Sequence, residues 1–227
     1  MTKNLAHVLF AACLCLGASE SKAQEKPEAN CSVTVMRNTP QAAIDACSTL
    51  ANSPDVAVLA KAEALKTRGR AFFSLDRLDA AAADFKLAAL LNHHDPEIPV
   101  RSGWIAVQRR ELVQGVAFAT KAIGIDPRFA RAYDLMAALL HGVGRYDAAL
   151  AAYDKAISIA PGDPQFHFNR YKVLVAAGRN DEALHEADVM LALQGPEMSE
   201  SQVVTYDTLI STSLEPARAG RDARLHA

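Results

Sequence analysis

The sequence predicts an all-α fold, an elongated α-solenoid of antiparallel helix pairs, and three observations predict it. Half of the 227 residues are apolar while Gly (11) and Pro (10) are sparse, and Ala supplies much of the apolar share. That composition favours helices over an all-β fold. The chain also repeats itself every 34 residues: Gly69, Gly103, Ala137 and Tyr171 form one column, Ala81, Gly115, Ala149 and Ala183 a second, and Ala88, Ala122, Ala156 and Met190 a third. Finally, Pro127 and Pro161 hold the same spacing and each follows an apolar stretch, where a helix has to stop.

Each column has a physical reason. Two antiparallel helices approach closely only where the facing side chains are small, which the Gly69 and Ala81 columns provide. The large residues of the Phe72, Leu140 and Leu174 column then fill the space within the pair, and the Ala88 column lets the second helix meet the next pair. Phe85 and Tyr153 share a further column with Ala119 and Ala187. Between the helices, Gly144-Arg145-Tyr146-Asp147 and Gly178-Arg179-Asn180-Asp181 combine turn residues with an acidic helix start.

The elements follow in order. Lys3, the apolar run Leu5 to Ala18 and the small residues Ser21 and Ala23 read as an export leader over 1–23, cut after Ala23. The run is shorter than the ~20 residues a membrane-spanning helix needs. Phe10-Ala11-Ala12-Cys13 departs from the usual lipoprotein leader, so acylation of Cys13 is the minor reading. Residues 24–39 read as a linker. Thr39-Pro40 then starts a helix through Ala43, Ile44, Cys47 and Leu50, the worn half of a repeat, with a connection reaching 61. Four repeats are expected over 62–95, 96–129, 130–163 and 164–197, with Pro99 delaying the first helix of the second. Ser199-Glu200-Ser201-Gln202 has capping-box spacing before Val203, Val204, Tyr206, Leu209 and Ile210, so 198–214 reads as a C-terminal capping helix. From 215 to 227 the chain is charged and reads as a disordered tail.

The pattern resembles the tetratricopeptide repeat family. The third copy carries the resemblance best, through Ala132-Tyr133, Ala137, Gly144-Arg145-Tyr146, Ala149-Leu150, Tyr153, Ala156 and Pro161 with Asp163-Pro164; Arg68-Gly69, Leu78-Asp79, Ala81, Asp84-Phe85 and Ala88 carry it in the first. The second and fourth copies are degenerate. The resemblance implies a right-handed superhelix whose concave face, lined by first helices, binds another protein or peptide, without catalysis.

Charge and chemistry narrow the function. With 24 Lys+Arg against 26 Asp+Glu, the net charge of −2 gives no electrostatic case for nucleic acid or an anionic membrane, and no membrane insertion is expected once the leader is removed. There is no phosphate-binding glycine loop, nucleophile elbow or His-Glu zinc motif, so neither cofactor nor metal is expected. His93-His94 precedes Asp95-Pro96 and reads as a solvated connection. Cys31 and Cys47, the pair left after the leader, are expected to form one disulfide worth about 3 kcal/mol; two unconnected thiols are the alternative. Arg68 with Asp84 and Arg170 with Glu186 stand at one pair of columns, where the other copies hold Ser102 with Phe118 and Met136 with Ala152. Arginine occurs only where an acid faces it, so both read as structural ion pairs.

In this register the concave face would show Lys66, Arg70, Phe73, Arg101, Trp104, Gln108, Arg131, Asp134, Phe168, Asn169 and Lys172, a mildly basic groove suited to an acidic or C-terminal peptide segment. Trp104 reads equally as an interface anchor or as core filler beside the shortened helix. The Lys/Asn clamp of chaperone-binding members is not reproduced. The sequence therefore reads as an exported, periplasmic or secreted adaptor or scaffold. The alternatives are a structural or self-associating element and an accessory subunit of an envelope enzyme.

Overall fold

The computed structural model describes residues 31–194. The expected leader, C-terminal capping helix and tail lie outside the described residues. Within them the chain forms helices α1 Val33–Asn38, α2 Pro40–Asn52, α3 Val58–Ser74, α4 Leu78–Leu91, α5 Glu97–Gln108, α6 Leu112–Ile125, α7 Ala130–Gly142, α8 Tyr146–Ile159, α9 Pro164–Ala176 and α10 Asn180–Gln194. The short connections make neighbours antiparallel. Pairs α3/α4, α5/α6, α7/α8 and α9/α10 stack in chain order, with α2 against α3 and the first helices α3, α5, α7 and α9 adjoining along one side. Among the described residues no helix is long and apolar enough to cross a membrane.

The small columns let backbones meet, but in two ways. A Cβ added at Gly69 would lie 2.8 Å from Phe85 Cε1, so that glycine admits α4 to its own partner α3. At Gly103 the Cβ would lie 2.3 Å from Leu135 Cδ2, and at Gly115 2.6 Å from Leu139 Cδ2. Both leucines belong to α7, so these two glycines set the approach of the next pair rather than of their own. Phe85, Leu135 and Leu174 are fully buried and anchor successive apolar clusters along the stack.

Three expectations are corrected. The linker contains α1, because Ser32 Oγ accepts from the Val35 N–H at 3.4 Å and Met36 buries against Ala43 and Ile44 of α2. The connection before the first repeat ends early: α3 starts at Val58, within the span expected to reach 61. Pro99 does not delay α5, which starts at Glu97. It sits in the first turn, where its missing N–H would have had no helical partner.

The turns between paired helices hold a further 34-residue column: Asp76, Arg110, Gly144 and Gly178 adopt φ of 58°, 59°, 73° and 71°. An L side chain strains there, and only two of the four copies carry glycine. Arg110→Gly is expected to raise stability by about 0.5 kcal/mol in urea unfolding, and Gly144→Ala to lower it by about 1 kcal/mol. Nothing lies within 4 Å of a Cβ built at Gly144, so the cost would be backbone strain alone.

Candidate partner-binding groove

The first helices position a charged cavity. Glu97, at the start of α5, turns its carboxylate toward four cations. Arg101, one turn on, meets Glu97 Oε1 through Nη2 at 2.8 Å and Nε at 3.1 Å. Arg70 Nη1 approaches the same oxygen at 3.6 Å from α3 and Arg131 Nη1 at 4.0 Å from α7, while Lys66 Nζ lies 3.4 Å from Oε2. Burial opposes the charge on Glu97, but the Arg101 hydrogen bonds and the charges of Arg101, Lys66 and Arg70 win, holding its pKa below the ordinary value.

Lys66 and Arg70 differ sharply. Lys66 is buried and satisfied: its ammonium donates to Asp95 at 2.7 Å and Glu63 at 2.8 Å. Burial pulls its pKa down, and the bonds to Asp95 and Glu63 with the charges of Asp95 and Glu97 more than restore it. Arg70 is pushed below its ordinary value by burial and then by the neighbouring guanidinium groups of Arg101, Arg131 and Arg37, against the pull of Glu97. At 3.6 Å its nearest carboxylate is beyond good hydrogen-bonding distance. Among the described residues no buried side-chain nitrogen or oxygen lacks a partner, so the donors of Arg70 open onto the cavity.

That cavity holds about 550 Å³. It brings together six expected residues, Arg70, Arg101, Trp104, Arg131, Asp134 and Asn169, and adds Arg37, Val100, Asp163, Gln165 and Phe166. Phe73, Gln108, Phe168 and Lys172 lie outside its lining, Lys172 stacking over the Phe168 ring at 4.9 Å. Lys66 serves the ion network described above. Arg37 escaped the sequence reading because it lies on α1, inside the expected linker. Glu97 was legible as an i, i+4 partner of Arg101.

Asp134 forms the groove's buried floor. It accepts from Asn169 Nδ2 at 2.9 Å and from the Tyr153 hydroxyl. Burial raises its pKa to about 6, against the hydrogen bond from Asn169 and the charges of Lys172 and Arg131, with Asp163 adding to the rise. A carboxyl whose pKa rises on folding costs stability when it ionises, so stability should fall as pH rises from about 4 to about 6. Asp134→Asn is expected to flatten that slope in thermal melts across this range and to gain on the order of 1 kcal/mol at pH 7.

The two arginine–acid pairs lie behind the groove. Arg68 grips Asp84 through Nε at 2.8 Å and Nη2 at 2.7 Å, and its Nη1 reaches Ser48 of α2 at 2.9 Å. Arg170 donates to Glu186 through Nη1 and to Asp154 of α8 at 2.9 Å through Nε. Glu186 also meets His167 Nδ1 at 2.6 Å. Each arginine thus binds a preceding helix as well as its own pair.

Residues 140–197 match the tetratricopeptide repeat family. The chain is 31% identical over 105 residues to small glutamine-rich tetratricopeptide repeat-containing protein 2 of Mycosarcoma maydis, covering 46% of this chain and 30% of that protein. It is 44% identical over 88 residues to a TPR repeat-containing thioredoxin of Arabidopsis thaliana, covering 39% and 12%. The chain therefore spans under a third of each of these relatives. Among solved structures, a thermophilic TPR protein of Thermus thermophilus aligns with a TM-score of 0.66 at 19% identity, over 77% of this chain and 92% of that one. With the 34-residue columns and the stacked helix pairs, this likeness shows a tetratricopeptide-like fold over the described residues, and residues 140–197 carry the match to the tetratricopeptide repeat family itself.

Proposed function

We propose that this protein is an exported, non-catalytic adaptor whose concave groove binds an acidic or C-terminal segment of a protein partner. The observation that carries the reading is the convergence of Arg70, Arg101 and Arg131 on one oxygen of Glu97. One oxygen cannot satisfy three guanidinium groups, so donors remain for a carboxylate arriving from outside. Glu97 is the resident anion that these three arginines share. The export leader supports a periplasmic or secreted setting, where a Cys31–Cys47 disulfide would persist. The pair's Cα separation of 4.8 Å suits that bond, which would tie α1, and Arg37 with it, to α2.

Binding of a short Glu-rich peptide with a free carboxyl terminus, followed by calorimetry, tests the groove. Glu97→Gln is expected to tighten binding about threefold by removing the competing anion. Arg101→Ala and Arg131→Ala should each weaken it, and added salt should weaken all of these complexes. Equal affinities across the series would place the site elsewhere. Intact-mass analysis with thiol labelling of protein from the cell envelope checks the disulfide, and two free thiols would remove it.

A further inference from the structure

One stripe of α5 is short of side chains. In the 34-residue register Pro99 stands where the other pairs carry Leu65, Tyr133 and His167, Ser102 where they carry Arg68, Met136 and Arg170, and Ala106 where they carry Phe72, Leu140 and Leu174. Spaced three and four apart, the three share a helix face. The long residues elsewhere cross to neighbouring helices, as Arg68 and Arg170 do. Here they are missing, and a cavity of about 410 Å³ lies between α4 and α6 with α5 as its floor. Phe85, Ile98 and Ile105, all buried, line its base. At the mouth stand Lys86 of α4 and Lys121 of α6, both exposed and without an ion pair among the described residues, and Leu90, which is 72% exposed. Arg109 at the rim is engaged by Asp79, and Glu111 is the carboxylate among the lining residues.

We propose that this trough, distinct from the arginine groove, is a binding site for a single-chain anionic amphiphile, a medium-chain fatty acid carboxylate. The missing layer is one row of side chains, too narrow for a helix of ~10–12 Å diameter. An extended hydrocarbon chain fits such a row. From Pro99 to Ala106 the stripe runs ~10 Å, the length of roughly eight methylene groups. The apolar base takes the tail, and the two lysines at the mouth face its carboxylate. The site needs no peptide partner and stands independently of the function proposed above.

Calorimetry of the full chain with laurate, below its micelle-forming concentration, tests it. One saturable site per chain is expected. Ser102→Met with Ala106→Leu installs the residues that the third repeat carries at the same places, Met136 and Leu140. This change should weaken laurate binding about tenfold or more while the melting temperature holds or rises. Ala106→Leu alone serves if the double variant does not fold. Lys86→Glu with Lys121→Glu should weaken laurate but leave dodecanol unchanged, and Arg101→Ala should affect neither. Undiminished binding by the filled variant, unsaturable uptake, or dodecyltrimethylammonium binding as tightly as laurate would overturn the site.

Discussion

Asp84→Ala is expected to cost the fold about 3–5 kcal/mol, the range for removing one partner of a buried ion pair. The side chains of Asp84 and Arg68 are only 5% and 16% exposed, and two parallel hydrogen bonds join them. Without Asp84 the Arg68 guanidinium keeps, among the described residues, one hydrogen bond to the Ser48 hydroxyl and the face of the Phe72 ring, in a place where water reaches it poorly. A guanidinium keeps its proton in any protein setting, so the cation cannot escape the loss by giving it up. The third repeat supplies the control: at the same columns it carries Met136 and Ala152, an apolar solution to the same packing problem. Arg68→Met combined with Asp84→Ala should therefore recover most of the stability that Asp84→Ala loses, in line with buried ion pairs exchanged for apolar groups of similar volume. Urea unfolding of both single variants and the double measures the coupling. A loss below about 1 kcal/mol for Asp84→Ala, or additive single effects, would mean that the pair is solvated and contributes little.

The columns that made the fold legible are those in which chemistry repeats. Helices cannot pack closely, within a pair or between successive pairs, without small residues at their crossing points, so Gly69, Gly103 and Ala137 expose the register even where the rest of a copy has drifted. The left-handed turn column was harder to read, because two of its members are Asp76 and Arg110, residues that tolerate the conformation at a cost and so hide it. Helix α1 escaped for another reason. Six residues carry too little periodicity to declare a helix, and its order depends on Met36 reaching α2, a tertiary contact. The groove was half legible. Facing positions followed from the register, but whether a side chain there is free depends on its neighbours. Lys66 and Arg70 lie one turn apart on α3; Asp95 and Glu63 claim the first, while the second is left facing the cavity. Asp134, read as groove-facing, is buried beneath Asn169 and Tyr153, a consequence of partners 35 and 19 residues away along the chain.

Trp104→Ala is expected to affect both stability and binding, because the residue stands on the boundary between them. Its ring packs on the cluster of Val100, Leu135 and Leu139, yet it is half-buried and lines the arginine cavity. A fully buried tryptophan would cost about 3–5 kcal/mol on truncation, and this one, with part of its ring in the cavity, should cost about 2–3 kcal/mol. Loss of the exposed part should also weaken binding of an acidic peptide by more than about 1 kcal/mol, since a wide ring beside arginine side chains is the usual form of an interface anchor. The two losses separate experimentally. Trp104→Phe keeps most of the packing on Leu135 and Leu139 while shortening the surface offered to a ligand, so it should retain more of the stability than of the affinity. Affinities must be compared at a temperature where circular dichroism shows every variant fully folded, so that unfolding does not enter the binding constant. If the alanine variant then binds as tightly as the parent, Trp104 is a core residue that merely borders the groove. Recognition would in that case rest on Arg70, Arg101 and Arg131 alone, and it should disappear at high salt, because no desolvated apolar contact would remain to hold the partner once the charges are screened.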